Sequence, residues 1–368
     1  MEYLLKMKNK KNYTARVVVA MSGGVDSSVA ALLLKKKKYE VLGLFMKNWE
    51  EDDKNGCPFL KDLNDVQSVC NFLRINLYTA NFSIEYWNRV FKIFLKKYQI
   101  GKTPNPDVLC NKEIKFKEFL NFSLEHLNAD YIATGHYARV KKKNNEYLLL
   151  RGKDRKKDQS YFLHSLDQSQ LQKVIFPVGE LKKCEVRKIA EKARLIVSGK
   201  KDSTGICFIG KKNFKNFIRK YIDCQDGNIL SDYEEVIGQH SGSILYTLGQ
   251  RNGIGIGGVK QKDGKPWYVI EKDIEKNTIT VSQNKFHPSL VSNGLIMNKV
   301  HWISKPKYRC AIQTRYQQRE TSCSIKTIYF NKIVVKFDHP ILSVTPGQYG
   351  VLYDNEICLG GGEIDIKF

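Results

Sequence analysis

The residues best suited to chemistry stand in one short loop, Ser22-Gly23-Gly24-Val25-Asp26-Ser27-Ser28. Adjacent glycines allow a tight turn that brings backbone N–H groups close together, and the Asp-Ser-Ser run suits the start of a helix. Because a helix N-terminus after such a turn binds anions, the loop predicts a site for pyrophosphate or a similar group. The string is neither a Walker A loop, which ends in Gly-Lys-Ser/Thr, nor a dinucleotide GxGxxG.

Two cysteines stand in settings that favour a reactive sulfur. Cys110 follows a stiff Pro-Asn-Pro-Asp run, and Cys207 stands in Ser-Thr-Gly-Ile-Cys, whose small residues would leave a sulfur accessible. Reactivity needs a thiolate stabilised by cations or a helix N-terminus, and Lys112, Lys200 and Lys201 are candidate neighbours. A lone cysteine is more often a small buried hydrophobe, and the sequence alone does not bring the two sulfurs together.

The glycine loop lies between a predicted strand, Arg16–Met21, and a predicted helix that includes Val29–Leu34. Strand and helix patterns then alternate: strands at Tyr39–Met46, Leu77–Phe82, Asp130–Ala138 and Tyr147–Arg151, and helices at Asp62–Leu73, Ser83–Tyr98 and Leu181–Leu195. Such alternation predicts a parallel sheet covered by helices. Ligands collect at the carboxyl ends of its strands, where the glycine loop lies.

The prolines on either side of Asn105 are predicted to exclude a regular helix there. We therefore expect Asp107 and Cys110 on or just after a stiff loop. His136 is expected near a strand end.

Long helical patterns end after Phe214–Tyr221, and short strand candidates separated by turn residues follow. These are Ile244–Thr247, Trp267–Glu271, Thr278–Ser282, Cys310–Gln317, Cys323–Phe330, Ile333–Phe337 and Gly350–Tyr353. The expected fold class is α/β: a parallel-sheet catalytic domain at residues 1–212, a small central linker domain at 213–288, and a C-terminal β-barrel at 289–368.

The 368 residues carry 61 lysines and arginines against 38 aspartates and glutamates, a formal net charge of +23. This excess favours a polyanionic partner such as nucleic acid. Runs such as Lys35–Lys38 leave a second explanation open, a lysine-biased genome that decorates solvated faces.

Nine cysteines without regular spacing do not resemble a secreted disulfide framework, so a cytoplasmic protein is expected. No CxxC or HExxH spacing supports a protein-held metal centre. No apolar stretch approaches the length of a membrane span, so no membrane association is expected.

A series of motifs in order resembles the bacterial tRNA-specific 2-thiouridylase family, whose glycine loop is the PP-loop of the ATP pyrophosphatases. The motifs are Ser22–Ser28 (SGGVDSS), Gly43–Trp49 (GLFMKNW), Thr103–Lys112 (TPNPDVLCNK), Thr134–Tyr137 (TGHY), Lys157–Phe162 (KDQSYF), Asp202–Phe208 (DSTGICF), Tyr246–Arg251 (YTLGQR) and Thr345–Gln348 (TPGQ). They extend over essentially the whole chain. The resemblance implies that the first domain is a PP-loop, adenine nucleotide alpha hydrolase-like domain, and that the other two domains contact tRNA.

The family resemblance implies a reaction in which ATP, with Mg²⁺, adenylates the C2 oxygen of the wobble uridine of tRNA and sulfur then replaces that oxygen. It assigns nucleotide binding to Ala20, Met21, Ser22, Gly23, Gly24, Val25, Asp26, Ser27, Met46 and Gly135. Cys207 resembles the persulfide carrier, which a sulfur-relay protein loads. Cys110 resembles its partner, which either releases sulfide from that persulfide or resolves it through a Cys110–Cys207 disulfide. Asp107 is the candidate general acid/base for the uracil N3 proton.

A wobble base lies in a single-stranded loop, so an enzyme can swing it into a pocket and read its edges. Family positions around the tRNA or its target base are matched by Asn105, Pro106, Asp107, His136, Lys157, Asp158, Gln159, Arg315, Tyr316 and Gln348. In the barrel, a guanidinium, an aromatic face and an amide could hold bases or phosphates.

Two other functions are compatible with the sequence. Another PP-loop ligase or amidotransferase would adenylate a small substrate for attack by nitrogen and would need ATP but no cysteine. A basic RNA-binding module with a relic nucleotide fold would release no pyrophosphate.

Overall fold

The structure, a computed structural model, describes residues 13–49, 58–202, 214–256, 265–329 and 331–368. Cys207 and most of its motif lie outside the described residues. The chain divides into two compact units, one within Met1–Tyr86, Asn111–Ser160 and Leu166–Thr204 and the other within Trp87–Cys110, Tyr161–Ser165 and Gly205–Phe368. The domain boundaries at residues 212 and 288 stay a prediction.

From Arg16 to Lys192 the described chain alternates strands and helices. The elements are β1 (Arg16–Met21), α1 (Val25–Lys36), β2 (Glu40–Lys47), α2 (Pro58–Leu73), β3 (Leu77–Asn81), α3 (Ser83–Tyr86), a π-helical turn (Trp87–Phe91), α4 (Lys92–Gln99), α5 (Pro106–Leu109), a π-helical segment (Cys110–Glu118), α6 (Phe119–Leu127), β4 (Tyr131–Ala133), β5 (Ala138–Lys143), β6 (Glu146–Arg151), α7 (Ser160–Leu163), α8 (Gln168–Gln172), β7 (Val174–Ile175) and α9 (Lys183–Lys192).

The first unit is built on a five-stranded parallel sheet of order β3-β2-β1-β4-β7, which confirms the predicted parallel sheet. In β1, at its centre, Val17, Val18 and Val19 are fully buried, as expected of a strand covered on both faces. The chain leaves β1 toward β2 on one side, and β4 pairs on the other. This reversal of strand order makes the carboxyl end of β1 the place where ligands bind in such sheets.

After residue 213 the described elements are mostly strands. They are α10 (Phe214–Ile218), β8 (Gly227–Ser231), β9 (Val236–His240), a 3₁₀ turn (Ser243–Leu245), β10 (Tyr268–Asp273), β11 (Thr278–Ser282), a 3₁₀ turn (Pro288–Leu290), β12 (Val291–Trp302), β13 (Arg309–Gln313), β14 (Thr321–Tyr329), β15 (Lys332–Leu342), β16 (Tyr349–Asp354) and β17 (Ile357–Lys367). Strands β10-β11-β8-β9 form one sheet.

The last six strands form a closed barrel, which confirms the predicted C-terminal β-barrel. Their order is β12-β15-β14-β13-β16-β17, and β12 also pairs with β17. The buried side chains of Leu295, Ile312, Val335 and Ile364 contribute to one apolar core inside it. Each of the six strands therefore pairs with a strand on either side within the barrel.

Two sequence-based expectations in the second unit are wrong. Ile244–Thr247 is not a strand, because Ser243–Leu245 forms a 3₁₀ turn after Gly242, whose φ is +118°. A helix does begin here, at the second proline: Pro106 occupies the first helical position, where its missing N–H costs no hydrogen bond. The Asn105 side chain caps the helix by accepting a hydrogen bond from the Asp107 amide at 3.0 Å. Asp107 therefore lies in the first turn of α5.

Strand β17 was not among the predicted strands, and it contains three consecutive glycines. In the structure these glycines allow the backbone of neighbouring strands to approach closely. A Cβ at Gly360 would lie 2.1 Å from the His301 carbonyl oxygen, and one at Gly361 would lie 2.4 Å from the Gly350 carbonyl oxygen. Glycine within a strand is typical of such a close approach.

Among helices of the described ranges, none combines the length and apolar character needed to cross a membrane.

Two of the sequence motifs meet in the second unit. The Thr103 amide donates to the Pro346 carbonyl at 3.0 Å, and Gln348 Nε2 donates to the Thr103 carbonyl at 2.7 Å. Gly347 has a φ of +92°, and a Cβ there would lie 2.8 Å from the Thr103 nitrogen. The TPGQ turn thereby fixes the segment that leads into α5.

We predict that Gly347→Ala lowers the thermal unfolding midpoint more than Gly255→Ala. Both glycines have a positive φ, which costs an alanine about 1–3 kcal/mol, but no described atom lies within 4 Å of the Cβ position at Gly255. Scanning calorimetry measures both midpoints. Equal shifts would show that the contact with Thr103 is unimportant.

Candidate functional site

The SGGVDSS loop turns directly from β1 into α1. Gly23 has a φ of +71°, and Gly24 is the N-cap of α1. The Ser27 and Ser28 hydroxyls donate to the Gly24 carbonyl at 3.2 and 2.8 Å, and Ser27 Oγ accepts the Ser22 amide at 3.3 Å. The glycine N-cap has no side chain that could hydrogen bond the first-turn amides, so they can donate to an anion.

Gly135, which follows β4, lies against the beginning of α1. A Cβ at Gly135 would lie 2.7 Å from the Ser27 nitrogen and 2.8 Å from the Asp26 carbonyl carbon. Because β4 neighbours β1, the turn after β4 reaches the loop after β1. The structure thus brings Gly135 together with Ser22–Ser27, as the assignment to one nucleotide site requires.

The Asp26 carboxylate accepts hydrogen bonds from two side chains of the same unit. Tyr137 Oη donates to Oδ1 at 2.7 Å, and Lys183 Nζ lies 2.8 Å from both oxygens. Burial, and then the negative charge of Asp26, raises the pKa of Tyr137, so this phenol stays protonated and donates. Lys183 thereby pairs with a carboxylate in the first turn of α1.

Lys183 also lies 2.8 Å from Asp202, which accepts further bonds from Lys157 and Arg187, each at 2.8 Å. Burial alone would raise the pKa of Asp202, but the hydrogen bonds from Lys157 and Lys183 outweigh it and lower the pKa to about 2. We name Asp26, Tyr137, Lys157, Lys183, Arg187 and Asp202 the loop cluster. It places three cations around two carboxylates beside the glycine loop.

Four members of the loop cluster were not among the residues assigned from the sequence: Tyr137, Lys183, Arg187 and Asp202. Tyr137 and Asp202 belong to two of the sequence motifs, TGHY and DSTGICF, and this membership could have identified them as candidate site residues. Lys183 and Arg187 belong to a helix with many charged residues, and nothing in its pattern distinguishes them.

The other assigned residues of the first unit are mostly buried. Ala20, Met21 and Met46 lie in β1 and β2 with at most 9% of their surface exposed. His136 packs near Phe116 and Phe176, its Nδ1 lies 2.7 Å from Thr134 Oγ1, and burial lowers its pKa well below the usual value, so it is neutral.

Asp158 and Gln159 make internal hydrogen bonds. The Asp158 carboxylate lies 3.0 Å from Arg151 Nη1 and also accepts hydrogen bonds from the Gly152 and Ser160 amides. Gln159 Oε1 accepts a hydrogen bond from the Tyr137 amide at 3.0 Å. These hydrogen bonds fix the turn formed by Lys157, Asp158 and Gln159. Direct contact of these side chains with tRNA stays a prediction.

The second unit contains an open cavity of about 330 Å³ beside α5. It is lined by Phe94, Tyr98, Thr103, Pro104, Asn105, Pro106, Asp107, Phe214 and Gln348. The structure therefore brings Asn105, Pro106, Asp107 and Gln348 to one concave surface with aromatic walls. Cys110, at the end of α5, is fully buried.

Arg315 and Tyr316 lie in the turn between β13 and β14 and are not among the residues that line this cavity. Arg315 is exposed, and the Tyr316 ring centroid lies 4.3 Å from that of Phe162. Tyr161, next to Phe162, donates its hydroxyl to the Tyr349 carbonyl at 2.9 Å. The Tyr316 ring therefore rests on a buried aromatic support.

The loop cluster predicts a pH dependence of stability. Because the folded-state pKa of Asp202 is about 2, against an ordinary value of 3.8, its ion pairs stabilise the fold above about pH 4, and this contribution is lost as the pH falls toward 2. We expect Asp202→Asn to lower the melting temperature at pH 7 and the difference from the parent to shrink with acidification. Asp226→Asn, at an exposed ion pair, should change little. A constant Asp202→Asn deficit down to the acid limit would contradict this.

Family models match three consecutive parts of the chain. Residues 15–211 match a tRNA methyl transferase HUP domain, residues 215–283 a tRNA methyl transferase PRC-barrel domain, and residues 292–364 an aminomethyltransferase beta-barrel domain.

Curated relatives match nearly the whole chain. A tRNA-specific 2-thiouridylase MnmA of Buchnera aphidicola is 54% identical over 365 residues, covering 98% of both chains. Those of Photorhabdus laumondii and Shigella boydii are each 52% identical, covering 96% and 95% of this chain and 98% and 96% of theirs. The chain belongs to the tRNA-specific 2-thiouridylase MnmA family.

Proposed function

We propose that this protein is a tRNA-uridine 2-sulfurtransferase: it replaces the C2 oxygen of the wobble uridine of tRNA with sulfur and consumes ATP. The observation that carries the proposal is the 54% identity to a named 2-thiouridylase over 98% of both chains. The position in tRNA and the order of steps come from the motif resemblance. A soluble, cytoplasmic protein fits this substrate.

ATP binds at the glycine loop in this proposal. The first-turn amides of α1 and the positive end of its dipole suit the β- and γ-phosphates, which leave as pyrophosphate. Lys157, Lys183 and Arg187 supply the cations that a triphosphate needs. Ala20, Met21 and Met46 would border the adenosine.

Asp26 and Asp202 fit a Mg²⁺ ion that is shared with the phosphates, because Mg²⁺ is usually bound by one or two carboxylates together with substrate phosphate oxygens. The ion would offset phosphate charge as the α-phosphorus is attacked. Lys183 Nζ lies 2.8 Å from both carboxylates and holds them in place.

The uracil is held by Asn105, Asp107 and Gln348, whose amide and carboxylate groups can read its edges in the cavity beside α5. Asp107 accepts the N3 proton, which makes the C2 oxygen a better nucleophile toward the α-phosphorus of ATP. The products of this step are adenylated uridine and pyrophosphate. AMP is then the leaving group at C2.

Sulfur arrives as a persulfide on Cys207, donated by a sulfur-relay protein. In one route the terminal sulfur attacks C2 and AMP leaves. The Cys110 thiolate then displaces the thiocarbonyl sulfur from Cys207, forming the Cys110–Cys207 disulfide. In the other route Cys110 first displaces hydrosulfide from the persulfide, forming the same disulfide, and hydrosulfide attacks C2. Both routes require the buried Cys110 sulfur to become accessible, and a reductant restores the thiols.

The tRNA is held by charge and by the barrel. A net charge of +23 suits a polyanion. Arg315 can pair with a phosphate, and Tyr316 can stack on a base, since its ring already has the support of Phe162. His136, Lys157, Asp158 and Gln159 are the positions in the first unit proposed to face tRNA or to shape the surface that does.

We predict that Cys207→Ser abolishes thiolation, by on the order of 10³-fold or more as for a lost nucleophile, while tRNA-dependent pyrophosphate release continues. The assay is 2-thiouridine formed from unmodified tRNA, ATP, Mg²⁺ and a persulfide donor. Cys184→Ser, at an exposed cysteine, is the matched control and should retain activity. Full thiolation by Cys207→Ser would favour a different PP-loop ligase or amidotransferase.

We predict that Asp26→Asn lowers tRNA-dependent pyrophosphate release roughly 10²-fold, because a charged group at the phosphates is lost. Filter binding should find tRNA affinity within about twofold of the parent. Glu191→Gln, at an exposed acid of α9, is the control. Lost tRNA affinity with normal turnover of the bound fraction would place Asp26 in the tRNA site instead.

A further inference from the structure

The barrel contains a pair of thiols that the proposed reaction does not use. Cys310 in β13 and Cys323 in β14 are directly opposite each other in the antiparallel register. Their sulfur atoms lie 3.6 Å apart. Opposed residues of neighbouring antiparallel strands have Cα separations within the range that disulfides span, so a bond between these sulfurs needs only small side-chain movements.

The two thiols differ in exposure and acidity. Cys310 is half-buried, whereas Cys323 is 1% exposed. The hydrogen bond between them lowers the pKa of Cys310 and raises that of Cys323, so Cys310 is the more acidic of the two thiols. Cys310 is thus the sulfur that meets a reagent first, and Cys323 is the protected second thiol.

The pair stands at the base of a hairpin. Between the two cysteines the chain leaves β13, turns, and returns in β14, and the turn carries Arg315 and Tyr316. A link between the cysteines would close this turn into a covalent loop and restrict its motion.

We propose that Cys310 and Cys323 form a reversible disulfide by exchange with a low-molecular-weight disulfide of the oxidised-glutathione class. The Cys310 thiolate attacks one sulfur of that disulfide and expels one thiolate, which gives a mixed disulfide. Cys323 then loses its proton and attacks Cys310 Sγ, expelling the second thiolate. The protein loses two electrons and two protons, and the small disulfide is reduced to two thiols.

Neither Cys310 nor Cys323 takes part in a chemical step of the proposed thiolation. In a reducing cytoplasm the pair rests as the dithiol shown by the structure, and the disulfide forms when the ratio of oxidised to reduced thiols rises. Closure then affects the hairpin that bears Arg315 and Tyr316, whatever molecule the hairpin contacts.

Peptide mapping of the full-length protein tests the proposal. The protein is incubated with oxidised glutathione, quenched by acid, alkylated and digested with trypsin under non-reducing conditions. Cleavage after Arg309, Arg315, Arg319 and Lys326 places the two cysteines in separate peptides, residues 310–315 and 320–326. We expect one species whose mass is the sum of both minus two hydrogens, and its loss on reduction.

Variants separate this result from other disulfides. Cys184→Ser should retain the linked species. Cys323→Ala should remove it and leave Cys310 as a mixed disulfide with glutathione. If that buried substitution unfolds the protein, Cys310→Ser, at the more exposed position, gives the same loss of the link. Two results would overturn the proposal. In the first, both cysteine peptides are recovered in alkylated form although exposed Cys184 has been glutathionylated. In the second, Cys310 is linked to Cys358.

Discussion

The structure of the first unit depends on how the start of α1 is held at the end of β1. The turn at Gly23 aims the helix N-terminus at the carboxyl edge of the sheet, and the Asp26 carboxylate is fixed there by Tyr137 and Lys183. Lys183 also pairs with Asp202, and Lys157 and Arg187 are the other two cations around that second carboxylate. Each of the two carboxylates is thus paired with at least one cation.

The sequence predicted the local parts of this arrangement and not its long-range parts. Strand β1, the glycine turn and α1 follow from residue type and periodicity. The partnership of Asp26 with Lys183 joins residues 157 positions apart, and it exists because α1 and α9 pack in the same apolar core. No local pattern distinguishes Lys183 from the other lysines of α9. Gly135 was found only through the motif resemblance.

In the second unit the errors have local causes that tertiary structure overrides. Prolines beside Asn105 indicated a loop, yet one of them begins α5. Strand β17 was not predicted, and its three consecutive glycines admit neighbouring backbone. Strands β13 and β14 were predicted, but their register was not, so the opposition of Cys310 and Cys323 became visible only in the structure. Likewise, the contact of the TPGQ turn with Thr103 joins two motifs that lie far apart in sequence.

The central claim is that the glycine loop, Cys110 and Cys207 serve one reaction on tRNA uridine. Mass spectrometry of nucleosides from the tRNA of cells that lack this protein tests it most directly. The account predicts that 2-thiouridine derivatives disappear, that their 2-oxo counterparts accumulate, and that the parent gene restores the sulfur. Unchanged 2-thiouridine, or loss of a methylated nucleoside in its place, would contradict it.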